Sequence, residues 1–232
     1  MERLKLCMLI FQNMTLQDFS GPYDVFIRTE CFDVYIVSEN KELIKAEGGI
    51  TLKADYSFDE CPQADILFVP GGIGITPLLT KKAYYNFLQK QGSGAKYITS
   101  VCSGSLLLAA HGLLYGYKAT THWRSLELLR MFGVEVIEQR VVTDRNRITG
   151  GGVTSGIDFG LALTALICGE NTAKTVQLLL EYNPLPPFSS GSPQTAEPHI
   201  LKMAIEITQD LFESRGKIIR QLIHEEEIFY TK

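Results

Sequence analysis

The chain has 232 residues, 45% of them hydrophobic and 21% charged, with a formal net charge of −4. This composition is typical of a folded globular protein and excludes a largely disordered chain. An acidic balance without a basic run argues against nucleic-acid binding, and no apolar stretch approaches the ~20 residues of a membrane helix. We therefore expect a cytoplasmic protein that binds neither nucleic acid nor a membrane.

Short apolar runs alternate with helical patterns along the chain, which predicts an α/β sheet. In chain order we expect a strand at 4–11, a helix at 15–29 interrupted by Gly21-Pro22, a strand at 32–37, a hairpin at 45–54 and a strand at 65–69. There follow a helix at 77–91 with Pro77 in its first turn, a strand at 96–101, a helix at 103–112, a short strand at 119–122 and a helix at 125–132. The second half ends with a hairpin over 134–149 and helices at 157–168 and 172–181.

The last fifty residues carry a proline-rich stretch and then a helical pattern. We expect 183–198 to be a surface loop and 199–228 to be a terminal helical segment that breaks near Gly216. Because a single helix cannot form a domain of its own, residues 1–232 are expected to be one α/β domain.

The cysteines and histidines show no ligand spacing. The five cysteines are odd in number and widely spaced, and they include no C-x-x-C pair: Cys7, Cys31, Cys61, Cys102 and Cys168. This pattern argues against a disulfide framework and against a zinc site. We therefore expect no bound metal.

Cys102 stands where a buried strand runs into a helix through the small residues Ser103 and Gly104. Small neighbours permit the sharp strand-to-helix turn that presents a nucleophile at the edge of a sheet. The amino end of the helix would lower the thiol pKa below its free value of about 8.5. The alternative is an inert core cysteine, the commoner fate, to which we assign the other four cysteines.

Glycines also follow the strand at 65–69, in the segment Val69-Pro-Gly-Gly72. Their backbone can approach a ligand closely and offer N–H groups to an anion. Next to a cysteine elbow, the N–H groups of Gly72 and Ser103 would form an oxyanion hole. A turn that needs glycine for its shape alone is the alternative.

Several side chains could exchange a proton with Cys102. Asp18 lies in an otherwise apolar stretch just beyond the first strand and would act as acid or base. Asp24 competes for that role, and helix capping is the commoner use of such an aspartate. His122 could pair with the cysteine, but we assign it, with Trp123, to the wall of a substrate pocket.

Six segments in this order resemble the ThiJ/PfpI superfamily and, within it, the bacterial isonitrile hydratases. They are 18–25 (DFSGPYDV), 69–72 (VPGG), 99–105 (TSVCSGS), 119–123 (ATTHW), 149–158 (TGGGVTSGID) and 177–192, which contains EYNP and PPF. The resemblance implies a flavodoxin-like α/β sandwich, similar to class I glutamine amidotransferases, with a C-terminal helical extension. It also implies a homodimer that acts on a small-molecule substrate without a metal or an organic cofactor.

The resemblance assigns the nucleophile to Cys102 and the acid/base carboxyl to Asp18, where most of the superfamily carries glutamate. Ser103 stands where the hydratases usually carry threonine, so the hydroxyl is kept and a methyl group is lost. PfpI-type peptidases carry histidine there, and its replacement by serine argues against proteolysis.

The glycine run that ends at Gly152 would allow close approach to a substrate, and the resemblance adds Val153 and Thr154 to the pocket wall. The aromatic residues Phe19 and Tyr23, with Trp123, could line the pocket too. A tight turn explains the glycine nearly as well, and a core position explains Phe19 equally well.

The predicted activity is hydration of an isonitrile to an N-substituted formamide, a hydro-lyase reaction. Cys102 would attack the terminal carbon to give a thioimidate, while Asp18 supplies a proton and then activates water. One alternative is a glyoxalase or deglycase, which would need a glutamate-type partner for the cysteine. The other is a non-catalytic redox or ligand sensor that uses Cys102, since 119–123 also resembles the sensing domains of AraC-type regulators.

Overall fold

The computed structural model describes the backbone of residues 3–230 and the side chains of residues 3–224. Its strands are β1 (Leu4–Leu9), β2 (Phe32–Ser38), β3 (Ile44–Lys45), β4 (Thr51–Leu52), β5 (Tyr56–Ser57), β6 (Ile66–Val69), β7 (Tyr97–Val101), β8 (Lys118–Ala119), β9 (Glu135–Val136), β10 (Val141–Asp144) and β11 (Arg147–Gly150). Its helices are α1 (Leu16–Phe26), α2 (Ile75–Leu78), α3 (Lys82–Gly94), α4 (Gly104–Ala110), α5 (Leu126–Arg130), α6 (Ser155–Cys168), α7 (Glu170–Leu179) and α8 (Pro198–Tyr230).

One sheet of seven strands, ordered β10-β11-β7-β6-β1-β2-β5, forms the centre of the molecule. Its neighbouring strands are parallel except β10, which is antiparallel to β11. Residues 6–10 on the central β1 and just beyond it are fully buried, as expected for a parallel strand with helices on both faces. The predicted flavodoxin-like α/β sandwich is therefore confirmed, together with the helix at its C-terminal end.

The order of the strands determines where a site can form. The strands β1, β6, β7 and β11 are parallel neighbours, so their carboxyl ends lie at one edge of the sheet. Ligands of open α/β sheets bind at this edge. The segments that carry Asp18, Gly72, Cys102 and Gly152 leave the sheet there and are brought together by topology.

The first helix does not break at Gly21-Pro22, contrary to the prediction. α1 continues through Pro22, where α6 packs against it. A Cβ on Gly156 would lie 3.0 Å from Cδ of Pro22, and one on Gly160 would lie 3.1 Å from Cβ of Val25. The glycines allow close helix packing, which stabilises α1 at the point where proline removes a backbone donor.

The helix predicted at 77–91 is wrong in its first turn. α2 ends at Leu78, and α3 begins only at Lys82. Between them Lys81 has an extended backbone, with φ −82° and ψ 111°. Pro77 therefore lies inside a short separate helix and does not begin the long one.

The predicted strand at 119–122 is shorter than expected, and the first arm of the predicted hairpin over 134–149 is divided into β9 and β10. Only Lys118–Ala119 forms a strand, β8, and it pairs with β9 outside the main sheet. The N–H of Thr120 donates to Thr149 Oγ1 at 2.8 Å, and Thr121 Oγ1 donates to the Cys102 carbonyl at 2.7 Å. Side chains thus take the hydrogen bonds that a longer strand would have used.

The terminal helix α8 runs through Gly216 without the predicted break. Gly216 is buried, and a Cβ there would lie 3.5 Å from Cδ2 of Leu128 on α5. The glycine therefore serves close packing between the two helices. In the described part of the chain, no helix combines the length and apolar character needed to span a membrane.

The structure pairs Cys31 with Cys168 and leaves Cys7, Cys61 and Cys102 free. The paired Cα atoms are 6.3 Å apart, a separation that a disulfide bridges. This corrects the expectation, drawn from the number and spacing of the cysteines, of a chain without a disulfide framework.

We expect thiol titration of the denatured, unreduced protein to give three thiols per chain, and titration after reduction to give five. Peptide mapping without reduction should yield one cross-linked species that joins Cys31 to Cys168. Five thiols before reduction would contradict the pairing.

Candidate active site

Cys102 occupies a tight turn between β7 and α4. It has φ +53°, a left-handed conformation that a residue with a Cβ rarely adopts. Its N–H lies 2.7 Å from the Gly151 carbonyl oxygen. A Cβ on Gly104 would overlap the Val69 carbonyl oxygen, so only glycine permits this approach of α4 to β6. The structure thus has the strained elbow that the sequence predicts.

Asp18 lies in the first turn of α1 with its side chain fully buried. Its Oδ2 accepts a hydrogen bond from the Gly71 N–H at 3.0 Å, and the carboxyl is adjacent to the Cys102 thiol. A Cβ on Gly71 would lie 2.8 Å from Asp18 Oδ2 and 2.8 Å from Cβ of Cys102. Gly71 therefore leaves the space in which the carboxyl and the thiol meet.

The competing carboxylate, Asp24, is on the surface of the same helix. It forms an exposed ion pair with Arg28, at 2.9 Å. In contrast, Oδ1 of Asp18 is buried and has no hydrogen-bond partner among the described residues. Such an unused acceptor is costly in a closed interior and is available to a proton of a substrate or of water.

Burial dominates the ionisation of both groups. It raises the pKa of Asp18 to about 7, against hydrogen bonds from the Cys102 thiol and the Gly71 N–H. It also raises the pKa of Cys102, and the Asp18 charge adds to this, while the Ser103 N–H opposes it. The predicted lowering of the thiol pKa by the helix end is therefore wrong for the resting site, because Cys102 is only 6% exposed and desolvation disfavours the thiolate.

The two expected oxyanion donors have different surroundings. The Ser103 N–H is directed at the Cys102 sulfur. The Gly72 N–H instead donates to Ser103 Oγ at 3.0 Å, so it is occupied and does not face Cys102 as predicted. Gly72 has φ +134°, a conformation that favours glycine.

His122 and Gly152 are in contact, as a Cβ on Gly152 would lie 2.5 Å from Cδ2 of His122. The Trp123 ring is tilted against the His122 ring, with centroids 5.6 Å apart. Burial, and then the charge of Arg215, lowers the pKa of His122 to about 4. The imidazole is thus neutral near pH 7 and lies beside the glycine-rich turn.

Phe19 and Thr154, both predicted to line the substrate pocket, differ in their surroundings. Phe19 is in the hydrophobic core, stacked on Tyr23 with ring centroids 5.3 Å apart. Thr154 is exposed, and its Oγ1 accepts a hydrogen bond from Arg140 at 3.2 Å. Val153, the residue before Thr154, is half-buried.

Sequence reasoning missed Arg215, which reaches the site from α8. Its guanidinium donates to the Gly72 carbonyl at 2.6 Å and to Thr76 Oγ1 at 3.0 Å. No motif connects this arginine to residues about 140 positions earlier, so the sequence carried no signal for it. Among the residues with described side chains, no cluster of three His, Cys, Asp or Glu could hold a metal ion.

The chain matches a family model and is similar to several known proteins. Residues 4–166 match the model of the DJ-1/PfpI family. Isonitrile hydratase of Pseudomonas putida is 42% identical over 217 residues, which cover 89% of this chain and 95% of that protein. The crystal structure of a ThiJ/PfpI family protein from Pseudomonas syringae has 39% identity and a TM-score of 0.92, over 94% of this chain and 91% of that one. The glutathione-independent glyoxalase DJ-1 of Schizosaccharomyces pombe is 28% identical over 75% of this chain and 96% of its own.

Proposed function

This chain belongs to the DJ-1/PfpI family, and from that membership we propose that it is an isonitrile hydratase. It would add water to an isonitrile, R–N≡C, and release the N-substituted formamide R–NH–CHO. The observation that carries the proposal is the buried Asp18 carboxyl adjacent to the Cys102 thiol at the carboxyl edge of the sheet. The relative from Pseudomonas putida that carries this name aligns with 95% of its own length.

The first half of the proposed reaction transfers the thiol proton and forms a covalent bond. Ionised Asp18 accepts the proton of the Cys102 thiol as the sulfur attacks the terminal carbon of the isonitrile. Asp18 then returns this proton to the same carbon, which gives the thioimidate R–N=CH–S–Cys102. Because the pKa of Asp18 is about 7, both its acid and its base forms are accessible near neutral pH.

The second half is hydrolysis of the thioimidate. Asp18 removes a proton from water while the oxygen adds to the thioimidate carbon, and it passes this proton to the nitrogen to give R–NH–CH(OH)–S–Cys102. Collapse of this intermediate breaks the carbon–sulfur bond and releases the formamide, while Asp18 transfers the hydroxyl proton to the sulfur. The Ser103 N–H, which points at the sulfur, stabilises the leaving thiolate.

The burial of Cys102 disfavours a redox sensor. Oxidation of a cysteine requires thiolate character and access to solvent, whereas Cys102 is 6% exposed and burial raises its pKa.

The test is turnover by the purified protein. We expect formation of N-cyclohexylformamide from cyclohexyl isocyanide, and of the matching formamide from para-nitrophenyl isocyanide. Product formation is measured by chromatography. Absence of formamide from a folded protein would refute the hydratase proposal. Lactate formation from methylglyoxal would then favour the glyoxalase activity named for the Schizosaccharomyces pombe relative.

A further inference from the structure

Arg215 is a cation in the interior, close to the reactive pair. It is 6% exposed although it lies on the outermost helix α8. Its two side-chain hydrogen bonds go to neutral acceptors, the Gly72 carbonyl and the Thr76 hydroxyl. Among the described residues it forms no ion pair with a carboxylate within 4.0 Å. A buried cation without an anionic partner is unfavourable for folding alone, which suggests another role.

The charged and titratable groups around Arg215 come from four elements. Cys102 at the elbow and Glu47 in the turn between β3 and β4 are the groups whose negative charge would favour the guanidinium. Asp18 on α1 is adjacent to Cys102, and His122 is neutral near pH 7. Glu47 is itself engaged, since its Oε1 accepts a hydrogen bond from the Ile73 N–H at 2.8 Å. The thiolate of Cys102 is therefore the anion that Arg215 is best placed to stabilise.

A continuous set of hydrogen bonds leads from Arg215 to the nucleophile. The guanidinium holds the Gly72 carbonyl, and the Gly72 N–H in turn donates to Ser103 Oγ at 3.0 Å. The backbone N–H of the same serine is directed at the Cys102 sulfur. Movement of Arg215 would release the Gly72 turn and, through it, Ser103.

We propose that Arg215 is a positioning residue for Cys102: it fixes the Gly72 turn that orients Ser103, and its charge favours the thiolate during attack and release. The proposal rests on the reaction inferred above, in which Cys102 is the nucleophile. Arg215 lies on α8, beyond residues 4–166 that match the family model. The role is thus supplied by the C-terminal extension and not by the common core of the family.

The test is the pH dependence with which iodoacetamide alkylates Cys102, measured by peptide mass so that Cys7 and Cys61 are resolved. Arg215→Met should raise the midpoint by about one pH unit and slow alkylation at pH 7 about tenfold. Arg215→Lys, which keeps the charge, should restore most of the wild-type midpoint. A role in stability alone would not produce this rescue.

Arg124→Met is the matched control. Arg124 also docks α8, through Thr208 Oγ1 at 3.2 Å and Gln209 Oε1 at 2.6 Å, but among the residues that the structure describes it has no hydrogen bond to Gly72. This variant removes hydrogen bonds that dock α8, yet should leave the alkylation midpoint unchanged. An unchanged midpoint in Arg215→Met, or an equal shift in Arg124→Met, would overturn the positioning role.

Formamide assays on the same preparations separate this proposal from the hydratase proposal. Turnover by the wild type, with no shift of the alkylation midpoint in Arg215→Met, overturns the role of Arg215 and leaves the activity standing. A shifted midpoint without wild-type turnover supports the action of Arg215 on Cys102 and refutes the hydratase activity. Each proposal can therefore be refuted without refuting the other.

Discussion

Replacement of Cys102 by alanine is expected to reduce formamide formation from cyclohexyl isocyanide by at least about 10³-fold, because no covalent thioimidate can form. The fold should be retained, since alanine at φ +53° carries the same backbone strain as cysteine. The measurement is the rate of product formation at saturating substrate. Rapid quenching and intact-protein mass should show the thioimidate adduct in the wild type and none in the variant.

The matched control for this variant is Cys61→Ala. Cys61 is also a free, buried cysteine, at 3% exposure, but it contacts Gln91 and lies away from the elbow. It should keep wild-type turnover. Substantial formamide production by Cys102→Ala would show that the nucleophile lies elsewhere or that water attacks the isonitrile directly.

The elbow at Cys102 and the Asp18 carboxyl beside it could be predicted because their signals are local. A buried strand that leads into Cys102 and then into small residues is typical of a nucleophile elbow, and Asp18 is a charged residue in an apolar stretch after the first strand. Parallel neighbouring strands then bring both to the same edge of the sheet. The family resemblance depends on the same residues as the pattern of buried strand, cysteine and small residues.

The electrostatics of the site could not be predicted from the sequence. The helix end after Cys102 favours a thiolate, but the magnitude of burial depends on elements distant in the chain, among them α8. No sequence pattern indicates that the Gly72 N–H is occupied by Ser103 Oγ. Tertiary contacts determined both outcomes.

The predictions of helix breaks at Pro22 and Gly216 were wrong for the same physical reason. A breaker residue weakens an isolated helix by a few kcal/mol or less, and packing against a neighbour supplies a comparable amount. At Pro22 the glycines of α6 supply that contact, and at Gly216 the side chain of Leu128 does. The same small residues that weaken these helices in isolation allow them to pack closely.

In the resting site, burial favours the protonated forms of both Cys102 and Asp18. The Cys102 thiol is protonated, and the pKa of Asp18 is near 7, so the thiol keeps its proton until attack begins. In the proposed reaction, transfer of this proton to the adjacent Asp18 carboxyl would limit the charge on a buried thiolate, which is costly. A buried carboxyl suits this exchange because its acid and base forms are close in free energy.

Asp18→Asn is expected to lower kcat/KM about 10²- to 10⁴-fold, the usual contribution of a general acid/base. In the wild type kcat/KM should rise with pH and level off above about 7, because the carboxylate form must accept the thiol proton. The asparagine variant should lack this limb. Asp24→Asn changes an exposed, ion-paired residue of the same helix and should behave as the wild type.

The same substitution should stabilise the protein at neutral and alkaline pH. The folded-state pKa of Asp18, about 7, is higher than the value near 3.9 of an unfolded chain. Between these values the unfolded chain has lost its proton while the folded protein retains it, so the free energy of unfolding falls as pH rises through this window. Asparagine has no such proton to lose.

Denaturant unfolding should therefore show Asp18→Asn level with the wild type near pH 4 and more stable by at most about 4 kcal/mol at pH 8. Asp24→Asn should show no gain. Loss of activity in Asp18→Asn, together with a stability advantage over the wild type that grows with pH, would identify Asp18 as a carboxyl held in an unfavourable environment for catalysis. Equal stability of variant and wild type from pH 4 to 8 would mean that the pKa of Asp18 is ordinary, and the proposed proton exchange would then lack its basis.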